Sequence, residues 1–154
     1  MSSDLWSFSI NLYAKPGVES ACLALQTGGA NVCLLLCGLW LEQRGVSCDE
    51  QKLQQLKHLA GPWDSTVVQP LRKLRTQWKN LALQDPGLGG LREQVKKLEL
   101  EAERLLLERL EATVKDWPTG QSLDSAQWLQ RLAANAGQAN HDALHQLRVA
   151  VSDI

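Results

Sequence analysis

Thiols and imidazoles are the side chains best able to hold a metal ion or attack a carbon centre, and this chain carries four cysteines and three histidines. Cys33 and Cys37 stand four residues apart, so a helix brings both thiols to one face, and Cys22 and His58 are the residues that could complete a tetrahedron. The spacing argues against zinc. Structural sites draw one pair of ligands from a knuckle and a second pair from downstream, whereas Cys48 has neither Cys nor His within four residues. Small cysteines buried in an apolar helix account for the same pattern. His141 and His145 are also four apart but lack the Glu of a His-Glu-x-x-His motif and a third ligand, so they read as a solvated pair. No nucleophile elbow, Walker loop or dinucleotide fingerprint is present, and neither Gly28-Gly29 nor Gly87, Gly89 and Gly90 precede the Lys-Ser/Thr pair that cradles phosphate. These residues point to no catalytic site, no cofactor and no metal, so the expected function is non-enzymatic.

The strongest local signal is cationic. Arg72, Lys73, Arg75 and Lys79 cluster in a helical stretch where Asp64 is the one acidic residue between Gly61 and Asn80. Helical spacing puts Arg72, Arg75 and Lys79 opposite Leu71, Leu74 and Trp78, as an exposed stripe able to meet an acidic protein or to neutralise phosphates. A stripe of solvated charges would look the same. Six tryptophans beside one Phe and one Tyr are the compositional oddity. Trp buries a large apolar body yet keeps an N–H that needs a partner, which suits both cores and binding grooves. Four or five are expected in the core, with Trp63 and Trp117, each next to a proline, partly exposed.

Helices must position all of these groups, because no stretch alternates apolar and polar residues over the length of a strand. Ser3 or Asp4 caps a first helix to about Tyr13, and a second runs from the Pro16 region to Gly28. A third, from about Ala30 to Arg44, is apolar on nearly all sides and should be the most buried, with Trp40 in the core. Ser47 to Glu50 reads as a capping box, opening a fourth helix that ends near Leu59, before Gly61-Pro62. Trp63, Val67, Leu71, Leu74, Trp78 and Leu81 then form a stripe at spacings of three and four, with a kink or fresh start near Val67 forced by Pro70. After a turn at Asp85 to Gly90, the row Leu91, Val95, Leu98, Ala102, Leu105 or Leu106, Leu110 and Val114 marks a long helix to about Asp116. Two shorter helices, about Leu123–Ala136 and Asn140–Val151, close the chain.

The expected fold is therefore a single all-α domain. Residues 1–61 form compact N-terminal helices, residues 62–116 a long antiparallel hairpin, and residues 117–154 two closing helices. Composition agrees: 154 residues, 44% hydrophobic and 21% charged, are the proportions of a globular domain. Sixteen cations against seventeen anions give a net charge of −1, so no global field drives the chain onto nucleic acid or an anionic membrane. The longest apolar run, Val32 to Leu41, is shorter than the ~20 residues that a membrane span needs. The N-terminus has no signal-peptide pattern, and sparse cysteines suit a reducing cytoplasm.

Three stretches carry a family resemblance: Asn11 to Val18, Ala21 to Gln26, and Asn31 to Leu36 followed by Leu39-Trp40-Leu41. With Val67 to Arg75, they resemble a proteobacterial family of about 160 residues, found in Pseudomonas and Vibrio, to which no function is assigned. The resemblance spans roughly residues 4–80 and implies a cytoplasmic bacterial protein. Within it, Asn11, Gln26 and Asn31 are amides in apolar or helix-boundary surroundings. Asn11 and Asn31 can serve as caps, or they can join Tyr13, Gln26 and Trp40 around a small polar-bottomed pocket among the first three helices. The leading expectation is a cytoplasmic adaptor or regulator that binds another protein through the hairpin or the basic stripe. A nucleic-acid- or ribosome-associated role on the same stripe is the alternative, and a small-molecule or enzymatic role in the N-terminal pocket the third.

Overall fold

The computed structural model describes residues 4–120 and 127–152, without the side chains at 134, 135 and 137–139. Its first helix, α1 (Leu5–Tyr13), begins where the Asp4 carboxylate accepts the Ser7 amide at 2.7 Å, and the Leu5 amide is taken by Glu111 Oε1 at 2.7 Å. Pro16 and Gly17 turn the chain, with Gly17 at φ 81°, into α2 (Val18–Thr27). Helix α3 (Val32–Gln43) starts at Asn31, whose Oδ1 accepts the Leu34 amide at 3.3 Å. Every residue of α3 from Val32 to Leu41 is buried. It touches α1, α2 and the helices Glu50–Trp63, Pro86–Val114, Gln127–Ala139 and His141–Ser152, which is why it is apolar on all sides.

The next stretch departs from expectation. Helix α4 (Glu50–Trp63) is capped by Asp49, which accepts the Lys52 amide at 2.9 Å, so the capping residue lies two positions beyond Ser47. It does not stop at Gly61-Pro62. A π-helical turn (Asp64–Val68) follows without a break and leads into α5 (Gln69–Gln77). The hydroxyls of Ser65 and Thr66 donate to the Pro62 carbonyl at 3.2 and 2.6 Å. The Gln69 amide reaches back five residues to Asp64, a wider turn that makes room for the Pro70 ring where a regular helix would clash. The disruption expected near Val67 is thus a π turn inside one helical run. The first arm of the hairpin starts at Glu50, with Trp63 in its middle, and the boundary at residue 61 falls within it.

A short 3₁₀ turn (Leu81–Leu83) leads to α6 (Pro86–Val114), 29 residues and so about 43 Å at ~1.5 Å per residue. This helix begins five residues before the expected start. Asp85 accepts the Leu88 amide at 3.2 Å and Pro86 occupies the first turn, so Asp-Pro is a cap and N1 pair and the glycines behind it are helical. The main core takes in α6 only from Leu106 onward. Two further helices, α7 (Gln127–Ala139) and α8 (His141–Ser152), close the bundle over α3 and α2. Leu123, the expected start of α7, lies outside the described residues. Glu42 binds both elements, accepting the Leu129 amide and an Arg148 N–H, each at 2.7 Å, and Trp128 donates to the Val46 carbonyl at 2.8 Å. Gly38 lets α7 approach α3: a Cβ there would lie 2.7 Å from Leu132 Cδ1. The described residues contain no strand, and none of their helices is long and apolar enough to cross a membrane. The chain is an all-α domain.

Candidate functional site

The cationic stripe does not survive as an exposed face. Lys73 and Lys79 are exposed, but Arg72 and Arg75 turn inward onto Glu99 of α6. Arg72 Nε donates to Glu99 Oε2 at 3.1 Å, and Arg75 donates to Oε1 and Oε2 at 2.5 and 3.3 Å. The Arg75 carbonyl accepts from Arg92 Nε at 2.9 Å. The reason lies in α6. Glu99, only 6% exposed, takes the inward place in the row Val95, Glu99, Ala102, Leu106, while Leu98, expected in that row, is 52% exposed. A carboxylate so buried demands charged partners, and the two long guanidinium stems supply them. Gln26 joins the cluster: with its amide oxygen turned toward Arg72, it accepts from the guanidinium at 2.6 Å. A carboxylate spaced four and three from Val95 and Ala102 was the sequence signal for this network.

Beside the network lies a cleft of about 290 Å³ between α1, α3 and α6. One face of α1, Trp6, Ser9, Ile10 and Tyr13, forms a wall at spacings of three and four. Cys33 and Leu36 form its floor, and Leu100, Glu103 and Leu107 complete it. Burial, with Glu99 one turn away, pushes the Glu103 carboxyl up to about 7, a rise that Arg72 and Arg75 oppose. Ser9 Oγ is buried without a hydrogen-bond partner. The Cys33 thiol donates to the Glu103 carbonyl at 3.8 Å. Burial raises Cys33 well above the usual thiol range and lifts Cys37 to about 12 and Cys22 to about 11, so all three stay protonated and unreactive near neutrality. All four cysteines are free. Among the described residues, no group of three or more His, Cys, Asp or Glu is placed to hold a metal ion.

The five residues read as one pocket are not brought together. Tyr13 lines this cleft, and burial beside the Cys22 thiol holds its phenol above the ordinary range. Asn11 is exposed, Gln26 faces Arg72, and Asn31 caps α3. Trp40 is a core residue, 4% exposed, with the Arg44 guanidinium 4.4 Å from its ring centroid. The dispersal follows from helix geometry, since these positions fall on different faces of α1, α2 and α3. Of the six tryptophans only Trp40 and Trp128 are buried, fewer than expected. Trp63 and Trp117 are half-buried, as expected, and so are Trp6 and Trp78. Cations cover three of these rings: Arg104 over Trp6, Arg109 over Trp63 and Lys52 over Trp117.

A third feature was missed by periodicity, which assigns every recurring leucine to a core. Leu91, Leu98 and Leu105 recur every seven residues along α6, and all three are exposed, as are Leu74, Leu81 and Leu83 near the end of the hairpin.

Fold and site together define an all-α bundle whose hairpin arm carries an open leucine row, with an apolar-walled, acid-containing cleft at its root. Residues 4–110 match the family model described as a protein of unknown function, DUF2390, and the chain belongs to that family. The matched stretch contains every residue of the cleft and the whole hairpin up to Leu110. No curated protein and no solved structure matches the chain.

Proposed function

We propose that this protein is a non-enzymatic helical interaction module that binds another protein along its hairpin. The observation that carries the reading is the exposed row Leu91, Leu98 and Leu105, extended at the hairpin end by Leu74, Leu81 and Leu83. Apolar side chains recurring every seven residues suit a partner helix, which meets such a row with its own apolar edge. Exposed leucines repeated along one helix face supply apolar surface of the kind that marks interaction sites. Lys73 and Lys79 are exposed on the other arm of the hairpin, beside Leu74 and Leu81 in sequence, which favours a partner helix with acidic flanks. The free and largely buried thiols support a reducing bacterial cytoplasm as its location. A nucleic-acid or ribosomal partner has less to rest on, because Arg72 and Arg75 are held by Glu99 and leave two lysines for phosphates.

Site-specific photocrosslinking in the native bacterium tests this. A photoreactive residue at Leu98 should give a discrete protein adduct that disappears when Leu91 and Leu105 are both changed to Lys, while the same residue at exposed Glu19 on α2 gives none. Equal adducts at both positions, or an adduct that survives the double change, would overturn the reading.

A further inference from the structure

We propose that the cleft between α1, α3 and α6 is a binding site for a small apolar amine, its ammonium group on Glu103 and Ser9 and its hydrocarbon against Trp6, Ile10 and Leu100.

Charge comes first. Near the Glu103 carboxyl lie the carboxylates of Asp64 and Glu99 and the guanidiniums of Arg72 and Arg75, while Arg104, over the Trp6 ring, is paired with Glu108 at 3.2 Å. Arg72 and Arg75 are bonded to Glu99, and the Asp64 carboxylate accepts from Gln69 Nε2 at 3.1 Å. Glu103 makes no ion pair among the described residues, and it is the carboxylate of this group that lines the cleft. The rise in its carboxyl pKa agrees, because a carboxylate held away from water without a partner resists ionisation. A cation arriving there restores the missing partner, whereas an anion would meet like charge.

Ser9 is the second, independent observation. At 3% exposure its hydroxyl has no partner in the protein, although buried hydroxyls are nearly always satisfied, and it lines the same cleft. Tyr13 adds a phenol on that wall. An ammonium has three N–H groups to distribute among such acceptors.

The remaining walls are mostly apolar: Ile10, Leu36, Leu100, Leu107 and the Trp6 ring, with the Cys33 thiol on the floor. The volume of about 290 Å³ lies at the lower edge of ligand sites, which run from roughly 300 to 1,000 Å³. At about 30 Å³ per non-hydrogen atom, the share of a water in the liquid, it admits roughly ten such atoms. An arylalkyl or short alkyl amine fits both limits.

The test is a titration of the full chain with 2-phenylethylamine, followed by amide NMR, against its neutral isostere 2-phenylethanol. The amine should give saturable shifts confined to residues 6–13, 33–36 and 100–107. Glu103→Gln should weaken it roughly tenfold or more, the loss expected for a hydrogen bond to a charged group. Leu100→Trp and, separately, Ile10→Trp, both at half-exposed wall positions, should fill the cleft and abolish binding, with the spectrum itself reporting that each variant is folded. 2-Phenylethanol binding the wild type as tightly as the amine, unchanged affinity in Glu103→Gln, or no saturable shift with the amine would each overturn the proposal. The wild-type comparison of amine and alcohol needs no variant to fold.

Discussion

At the scale of single residues, Glu99 decides how this protein differs from a plain amphipathic design. A solvated stripe would tolerate reversal of Arg72, Arg75 and Lys79 to Glu, since surface changes usually fall within ~0.5 kcal/mol. With Arg72 and Arg75 bonded to Glu99, only Lys79→Glu should be that mild. Arg72→Glu with Arg75→Glu sets two more carboxylates against a buried one, and should cost about 3 kcal/mol in a urea melt, in the range for breaking a buried pair. A cost below 1 kcal/mol would mean that the network contributes little. Trp40→Ala should cost roughly 3–5 kcal/mol, because a nearly buried indole leaves a cavity when removed. The double variant Cys33→Ala, Cys37→Ala should still fold and lose on the order of 1 kcal/mol per site in packing, with no change in metal content by elemental analysis.

At the scale of elements, two helices owe their form to residues that break simple rules. The run from Glu50 to Gln77 absorbs Pro62 and Pro70 by hydroxyl donation to the Pro62 carbonyl and by a π turn before Pro70. On α6, Glu103 sits where α1 and α3 limit its access to water, and this gives stability a definite pH dependence. Its carboxyl rises from 4.5 in the ordinary state to about 7 in the fold, so between these values the folded chain holds a proton that the unfolded chain releases. Its stabilising contribution is therefore complete below about pH 4.5 and lost as the pH rises through about 7. Glu103→Gln has no such titration. Across that window the wild type should lose on the order of 2 kcal/mol relative to the variant in parallel denaturant melts, partial solvent access reducing the full effect. Parallel pH profiles would show that the carboxyl is solvated.

For the molecule as a whole, stability should be graded along the hairpin. The core cluster draws on α1 to α4, α7, α8 and the last third of α6, while α5 and the 3₁₀ turn contain no buried residue. Regions with few buried apolar contacts open locally at low free energy. Amide hydrogen exchange should therefore be fast from Gln69 to Gln94 and slowest in α3, from Leu35 to Leu41. Uniform protection along both arms would show that the hairpin is as firmly held as the bundle.

Much of this architecture was legible in the chain because its causes are local. Apolar spacing of three and four residues yields helices, Asp4 and Asn31 stand at the starts of two of them, and the unbroken apolar run of α3 announces a central helix, whereas the turn expected at Asp85 to Gly90 is the capped first turn of α6. Pro70 announced a disruption, although its form as a π turn depended on the Asp64 carbonyl accepting from Gln69. What the sequence could not rank is which of two adjacent positions on α6 points inward. Leu98 and Glu99 differ by about 100° around the helix, and hydrophobicity alone selects the leucine. The tertiary structure selects the glutamate, because two arginines from α5 lie opposite it and offset the cost of its burial. The cleft was hidden for the same kind of reason. Its walls come from residues 6 to 107, and only the packing of α1 and α3 against α6 brings Ser9, Cys33 and Glu103 to one place.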